Sequence, residues 1–249
     1  MKKLLISLIV TVLLSAVIVS AGIMIPAADK AKESALAVEK SPPGLEKIEF
    51  IHYKKDFAKP EVAKAPKPPS CYKFLTPTKV RWQNLVNYVI NPTNLQNLPE
   101  SFVTSAIFNG AEEWDKWTSK ELMNNEYTID YTASYGVQDY KNAISFGNYP
   151  TKNVIAVTTV WYNPMTKAIV EFDIMFDTDW VWGDASTDPT KMDLQNIATH
   201  ELGHGVGLGD VYDSVCSGVT MYGYSWKGDI GKRTLETPDI TGLQTLYGV

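Results

Sequence analysis

Histidine and cysteine are scarce in this sequence, and their scarcity excludes several kinds of protein. The 249 residues include three histidines and two cysteines, too few for a disulfide-rich miniprotein or for a metal site of four thiolates. Basic residues are also in deficit, with 23 Lys and Arg against 28 Asp and Glu. Because binding to phosphates requires a basic surface, we expect no nucleic-acid partner.

The first residues have the composition of a targeting segment. Lys2 and Lys3 precede an uncharged apolar run over residues 4–26, which is the order found in secretory signals. The run is also long enough to span a bilayer, so two alternatives stay open: a signal peptide within residues 1–28 or a retained membrane anchor. In both cases we predict a secreted, extracellular chain, anchored to the outer face of the cell membrane if the segment is kept.

A change in composition marks a second segment, residues 29–70. It is rich in Lys, Ala, Glu and Pro, and such a segment buries too little apolar surface to fold alone, which predicts an extended stalk or pro-segment. Residues 1–70 carry 11 basic and 7 acidic side chains, whereas residues 71–249 carry 12 and 21. An acidic folded domain therefore begins at residue 71. His52 lies in the stalk, where we predict an exposed linker histidine.

Residues 71–249 have the pattern of a single α+β domain without internal repeats. Two runs rich in β-branched and aromatic residues, 154–162 and 168–177, predict a β-hairpin. A 3.6-residue apolar period predicts a helix over residues 98–117 and a last helix with Thr237 as its N-cap. Shorter strands are predicted over residues 85–91, 127–131 and 143–146, and a further helix over residues 193–206.

The strongest signal is the sequence His200-Glu201-Leu202-Gly203-His204 within the predicted helix 193–206. Residues four apart share one face of a helix, so both imidazoles can bind one zinc ion. Glu201 is about 100° round the helix and can face the metal-bound water as a general base. Gly207 is suited to ending the helix with a positive φ, after which the chain turns back and Asp210 supplies a third ligand. The fourth position is left for water, which is typical of catalytic zinc.

These residues resemble the motif of the metzincin zinc peptidases and, among them, of the matrixins. Val219-Thr220-Met221-Tyr222 is similar to their Met-turn, which implies that Met221 lies under the zinc. Aspartate as the third ligand departs from most matrixins and is shared with the snapalysin-like enzymes. The likeness covers residues 72–249 and implies a metzincin-like α+β catalytic domain, with a twisted mixed β-sheet, an active-site helix and a C-terminal helix.

The resemblance also bears on which metals the chain holds. Many matrixins carry a structural zinc bound by further histidines, and none is left here for such a site. We therefore predict one zinc ion, Zn²⁺, in the catalytic position. Asp173, Asp177 and Asp179 are candidates for a calcium site, Ca²⁺, and the alternative is a solvated strand end.

The two cysteines allow two interpretations. Thiols of exported chains oxidise, and a disulfide between Cys71 and Cys216 would tie the start of the domain to the loop between Asp210 and Met221. The alternative is a cysteine switch, in which Cys71 caps the zinc. The surrounding sequence lacks the Arg, Gly and Asp of the matrix metalloproteinase switch, so we favour the disulfide.

Together these features predict a monomeric zinc endopeptidase that hydrolyses extracellular proteins. Its polypeptide substrates would bind as extended strands along residues 154–162, taken here as an exposed edge strand. Residues after Met221, up to Trp226, would form one wall of a side-chain pocket. Two other functions stay open: a catalytically silent extracellular binding or adhesion module on the same scaffold, and a zinc hydrolase of a non-peptide bond.

Overall fold

The computed structural model describes residues 39–40, 44–55 and 70–249. The predicted signal or anchor, residues 1–28 with the apolar run 4–26, and the rest of the predicted stalk lie outside the described residues. The helices are α1 (Glu100–Asp115), α2 (Leu194–Gly205) and α3 (Thr237–Tyr247). The strands are β1 (Glu39–Lys40), β2 (Glu46–Lys54), β3 (Lys73–Phe74), β4 (Tyr88–Ile90), β5 (Thr128–Ile129), β6 (Asn142–Gly147), β7 (Val154–Asn163), β8 (Ala168–Asp177), β9 (Trp182–Gly183), β10 (Met192–Asp193), β11 (Leu208–Gly209) and β12 (Tyr224–Ser225).

One mixed sheet organises the molecule. Its strand order is β1-β2-β7-β8-β6-β4-β5, and β12 pairs with β2. The pairs β1–β2, β2–β7 and β7–β8 are antiparallel, whereas β8–β6, β6–β4 and β4–β5 are parallel. The predicted α+β class, with a mixed sheet, an active-site helix and a C-terminal helix, is confirmed.

The predicted hairpin forms the centre of this sheet. Strands β7 and β8 differ from the predicted ranges by only one residue, Asn163. Its side chain explains the turn, because Oδ1 accepts hydrogen bonds from the backbone N–H groups of Met165 at 2.9 Å and Thr166 at 3.0 Å. Both strands are buried along almost their whole length, which matches their near-continuous apolar sequence.

Helices α1 and α2 pack against each other beside the sheet. Gly110 permits the close approach, since a Cβ atom there would lie 3.1 Å from the backbone nitrogen of Thr199. The Trp114 indole N–H donates to the Thr199 carbonyl at 2.8 Å, so both helices are also joined by a buried hydrogen bond. Helix α1 is shorter at both ends than the predicted 98–117, because Pro99 stands at its N-cap and the helix ends at Asp115.

The last helix begins differently from the prediction. Its N-cap is Glu236 and not Thr237, and Glu236 forms a reciprocal capping box with Asp239. Asp239 is fully buried and also accepts hydrogen bonds from the backbone nitrogens of Thr220 (2.9 Å) and Met221 (3.1 Å). The first turn of α3 therefore holds the predicted Met-turn in place.

Strand β2 is the largest difference from the predicted organisation. It lies within the segment predicted as a stalk or pro-segment, yet it pairs with β7 over eight residue positions. The physical reason is local: apolar Ile48, Phe50, Ile51 and Tyr53 interrupt the Lys- and Pro-rich sequence, and the outer edge of β7 offers unpaired backbone groups. The prediction that residues 154–162 are an exposed edge is therefore wrong for this structure.

Helices in the described part of the chain are too short or too polar to cross a membrane.

Candidate metal centre

Helix α2 brings the two motif histidines onto one face. The helix starts at an N-cap, Asp193, whose side chain accepts from the backbone nitrogen of Asn196. His200 and His204 are fully buried, and their ring centroids are 4.9 Å apart. The spacing of four residues therefore places both rings on one face of α2, as the sequence predicted, and both rings face the same point.

Asp210 reaches that point from the turn after the helix. Gly207 has φ +106°, and a Cβ atom there would lie 2.8 Å from the Val80 carbonyl oxygen, so both the conformation and the space call for glycine. Asp210 Oδ1 then lies 3.2 Å from His200 Nε2 and 3.5 Å from His204 Nε2. Its other oxygen, Oδ2, accepts a hydrogen bond from the Tyr212 hydroxyl at 2.9 Å.

The donor atoms fit a zinc ion. His200 Nε2, His204 Nε2 and Asp210 Oδ1 are all buried without a hydrogen-bond partner among the described residues. Buried polar atoms are rarely left unpaired, and these three lie within 4.8 Å of one another. Two imidazole nitrogens and one carboxylate oxygen form a donor set that zinc prefers.

The opposite ring nitrogens fix the histidines in the ligand form. His200 Nδ1 lies 2.7 Å from the Thr220 carbonyl oxygen, and His204 Nδ1 lies 3.0 Å from that of Leu208. A carbonyl only accepts, so each Nδ1 carries the proton and each Nε2 keeps its lone pair. Burial lowers the pKa of His200 to about 3 and also lowers the pKa of His204, so both rings are neutral.

Asp210 is ionised in this environment. Burial by itself would raise the pKa of its carboxyl group, but His204, His200 and the Tyr212 hydroxyl outweigh burial and bring the pKa to about 2. The carboxylate therefore supplies negative charge to a bound cation at neutral pH.

Glu201 lies beside the ligands and is held by two hydrogen bonds. Its Oε2 accepts from the Thr158 hydroxyl of β7 at 2.5 Å, and its Oε1 lies 3.0 Å from His52 Nδ1. Glu201 is fully buried, and burial raises the pKa of its carboxyl group to about 8. Thr158 and His52, which both lie outside the motif, thus hold Glu201, the predicted general base, next to the candidate metal site.

Met221 packs against helix α2 at Gly203, which lies between His200 and His204 in the sequence. It is fully buried, and a Cβ atom on Gly203 would lie 2.2 Å from Met221 Sδ. Tyr222 and Tyr224 are buried in a neighbouring apolar cluster. The residues after Met221 continue into β12, which lines the cleft opposite β7.

Lys232 is an unexpected buried cation at the same centre. Its ammonium group donates to the Tyr222 carbonyl oxygen and lies 3.4 Å from His200 Nδ1. Burial lowers the pKa of Lys232 to about 8, although Asp229, Asp210 and Glu201 act in the opposite direction. No motif in the sequence pointed to this lysine.

The prediction that His52 is an exposed linker histidine is wrong. It is 1 % exposed, and its ring centroid lies 4.0 Å from that of His200. Phe50, two residues earlier, stacks on His204 with centroids 4.0 Å apart and planes 10° apart. The β-branched and aromatic residues within 46–54 are a strand signal that could have been recognised, but nothing local shows which surface such a strand covers.

Cys71 and Cys216 are joined by a disulfide in the structure, with Cα atoms 5.3 Å apart. The bridge connects the start of the domain to the loop between Asp210 and Met221, as the sequence suggested. Because its sulfur is used in this bond, Cys71 is no free thiolate here, and the cleft side of the metal centre is covered by Phe50 and His52 instead.

The three calcium candidates are engaged with protein groups. Asp173 accepts from the backbone nitrogens of Gly136 at 2.8 Å and Ala143 at 3.0 Å. Asp177 accepts from the backbone nitrogen of Asp179 at 2.7 Å, and the Asp179 carboxylate pairs with the Lys152 ammonium at 2.9 Å. Calcium at these residues stays a prediction.

The fold and the arrangement of His200, His204 and Asp210 are those of a metzincin-type domain. In agreement, a family model described as matrixin, Peptidase_M10, matches residues 81–248, and the chain belongs to the matrixin family. The matched range includes α2, Asp210, Met221 and the closing helix α3. Strand β2 lies before it.

Several curated proteins are similar to this chain. Stromelysin-1 of Rattus norvegicus is 29 % identical over 176 residues, which are 69 % of this chain and 34 % of that protein. Matrilysin of Rattus norvegicus is 42 % identical over 77 residues, or 30 % of this chain and 27 % of that protein. Matrix metalloproteinase-15 of Homo sapiens is 38 % identical over 76 residues, covering 30 % and 11 % respectively. The chain thus spans about a third of the length of the stromelysin.

Proposed function

We propose that this protein is a zinc-dependent endopeptidase in which Glu201 acts as the general base. The observation that carries the proposal is the convergence of three unpaired buried donor atoms, on His200, His204 and Asp210, beside a carboxylate that is not needed as a ligand. Membership of the matrixin family supports the same activity.

The roles follow from the contacts of each side chain. The chemistry that zinc supplies when bound is Lewis-acid activation of water and of the scissile carbonyl group. Glu201 takes the proton of the attacking water and passes it to the leaving nitrogen. The Thr158 hydroxyl holds Oε2 of Glu201, so Oε1 is the oxygen that faces the reaction once His52 has left it.

The groove between β7 and β12 supports an extended polypeptide as the substrate. A peptide added as a strand would be held mainly through its backbone, and side-chain preference would come from the residues that follow Met221, up to Trp226. We further propose that the protein is exported and acts as a monomer outside the cell. The amino-terminal sequence and the disulfide between Cys71 and Cys216 support export, because disulfides persist in oxidising compartments.

A catalytically silent binding module is a weaker proposal. Loss of turnover would be expected to accompany loss of a ligand or of the general base, and His200, His204, Asp210 and Glu201 are all present with their supporting hydrogen bonds. A hydrolase of a non-peptide bond has no specific support in the site.

The experiment compares the wild type with Glu201→Gln, using casein as an unstructured protein substrate. A recognition site for a specific protease is placed within residues 56–69, and both proteins are assayed before and after cleavage there, because β2 covers the cleft. We expect casein hydrolysis by the cleaved wild type, its loss with a chelator and its return with zinc. Glu201→Gln keeps its zinc and is inactive. Casein hydrolysis by Glu201→Gln at the wild-type rate, or hydrolysis that a chelator leaves unchanged, would refute the proposal.

A further inference from the structure

We infer that strand β2 is a built-in inhibitor of the metal centre: residues 46–54 occupy the groove that an extended substrate needs and cover both the ligand histidines and Glu201. The inference rests on the proposed function, since the site it closes is the peptidase site. It is carried by four observations on the described residues.

The backbone of β2 uses both walls of the groove. It pairs with β7 from Glu46 opposite Tyr162 to Tyr53 opposite Val154. At its other edge, Tyr53 and Lys54 pair with β12. A peptide substrate that added to β7 would need the same backbone N–H and C=O groups. Substrate and β2 therefore exclude each other.

Two side chains of β2 close the centre itself. Phe50 and His52 are two residues apart and so point to the same face of the strand. Phe50 lies flat on His204, and His52 lies over His200 with its Nδ1 hydrogen-bonded to Glu201. Both are almost fully buried. The general base consequently has a protein partner at the oxygen that would otherwise face the attacking water.

The side chains on the opposite face of β2, which point away from the metal site, hold the strand against the domain. Ile51 and Tyr53 belong to an apolar cluster that includes Val157 of β7 and Tyr224 of β12. Glu49 accepts a hydrogen bond from the hydroxyl of Tyr135 at 2.7 Å. Contacts on both faces and along both edges of β2 therefore hold the strand in the groove.

The covalent connections around β2 allow this strand to leave the groove while the rest of the domain stays connected. Residues 56–69 join β2 to the domain, and the disulfide Cys71–Cys216 holds the chain directly after them. A cut within residues 56–69 leaves β2 attached by non-covalent contacts alone, so its high effective concentration at the groove is lost. The disulfide still fixes the new amino end of the domain.

The test measures access to the groove with zinc-loaded full-length protein and a peptide hydroxamate as the probe. Affinity is measured by calorimetry for the wild type, for the double variant Phe50→Ala/His52→Ala, and for Glu46→Gln as the control. Glu46 is on the same strand but contacts Tyr162 rather than the centre. We expect the double variant to bind at least tenfold more tightly than the wild type and the control to match the wild type. Cleavage within residues 56–69 should increase the affinity in the same direction.

A second measurement does not depend on any variant. Hydrogen exchange of residues 46–54 is followed in the wild type with and without saturating hydroxamate. We expect strong protection without the probe and its loss when the probe binds. Equal affinity of the wild type and the double variant, protection of residues 46–54 that persists at saturation, or no binding of the probe by any form would each overturn the inference.

These outcomes separate the inference from the proposed function. Hydroxamate binding reports access to the groove and not turnover. If the expected differences in affinity are found but no form of the protein hydrolyses casein, the peptidase proposal fails and β2 still stands as the occupant that closes the site. If casein is hydrolysed equally fast before and after cleavage of residues 56–69, the inhibitory role of β2 is refuted and the peptidase proposal stands.

Discussion

Gly203 lies at the centre of the motif helix, and its replacement by alanine tests the packing beneath the metal centre. A Cβ atom at this position would lie 2.2 Å from Met221 Sδ and 2.6 Å from Trp114 Cζ2. Both neighbours are fully buried, and Trp114 is also held in place because its indole N–H donates to the Thr199 carbonyl oxygen at 2.8 Å. Gly203→Ala therefore forces a rearrangement of two fully buried side chains.

The expected magnitude is a balance of two effects. Alanine is favoured over glycine in a helix interior by about 1 kcal/mol, whereas overpacking of a tight core costs about 1–3 kcal/mol. Two buried groups must move here, so the upper end of that cost applies, and we expect Gly203→Ala to lower the free energy of unfolding by about 2 kcal/mol.

The assay is guanidinium unfolding with the disulfide intact and a chelator present, so that zinc binding does not contribute to stability. Gly218→Ala is the matched control, since a Cβ atom there meets nothing within 4 Å. We expect the control to match the wild type. A Gly203→Ala protein at least as stable as the wild type would refute the close packing of Met221 and Trp114 against Gly203.

Two further predictions concern side chains outside the motif. Thr158→Val removes the hydroxyl that holds Glu201 and should lower kcat by about 10–100-fold, the usual effect of losing a supporting hydrogen bond at a metal site; Thr158→Ser should retain most activity, and unchanged kcat in Thr158→Val would contradict the role. Burial raises the pKa of Asp173 to about 7, above its unfolded value of about 3.9, so the folded state binds more protons between these values. The stability from this group is complete below the unfolded pKa and is lost as pH rises through 7. Asp173→Asn should flatten the fall in unfolding free energy between about pH 4 and 7, and an unchanged slope would count against it.

The parts of the centre that the sequence predicted are those encoded by local geometry. His200 and His204 are brought together by the helical period, and Gly207 turns the chain so that Asp210 returns to them within a few residues. The central hairpin was likewise readable, because its β-branched runs are continuous and are joined by a short turn at Asn163.

The parts that were missed depend on contacts between distant segments. His52 and Glu201 are 149 positions apart, and Thr158 and Glu201 are 43 positions apart. A strand pattern shows that residues 46–54 favour an extended conformation, but it carries no information about which sheet edge they join. The buried position of Lys232 is similar, since the three-residue 3-10 helix Gly231–Arg233 is too short to show a periodicity that would indicate burial.

Zinc stoichiometry tests the central claim most directly. Native mass spectrometry of the wild type, Glu201→Gln and Asp210→Ala would count the bound ions in each. The account predicts one zinc ion in the wild type and in Glu201→Gln, and a marked loss of zinc in Asp210→Ala, because Asp210 supplies the third donor atom. A wild type without zinc, or an Asp210→Ala protein that retains one zinc ion as firmly as the wild type, would contradict it.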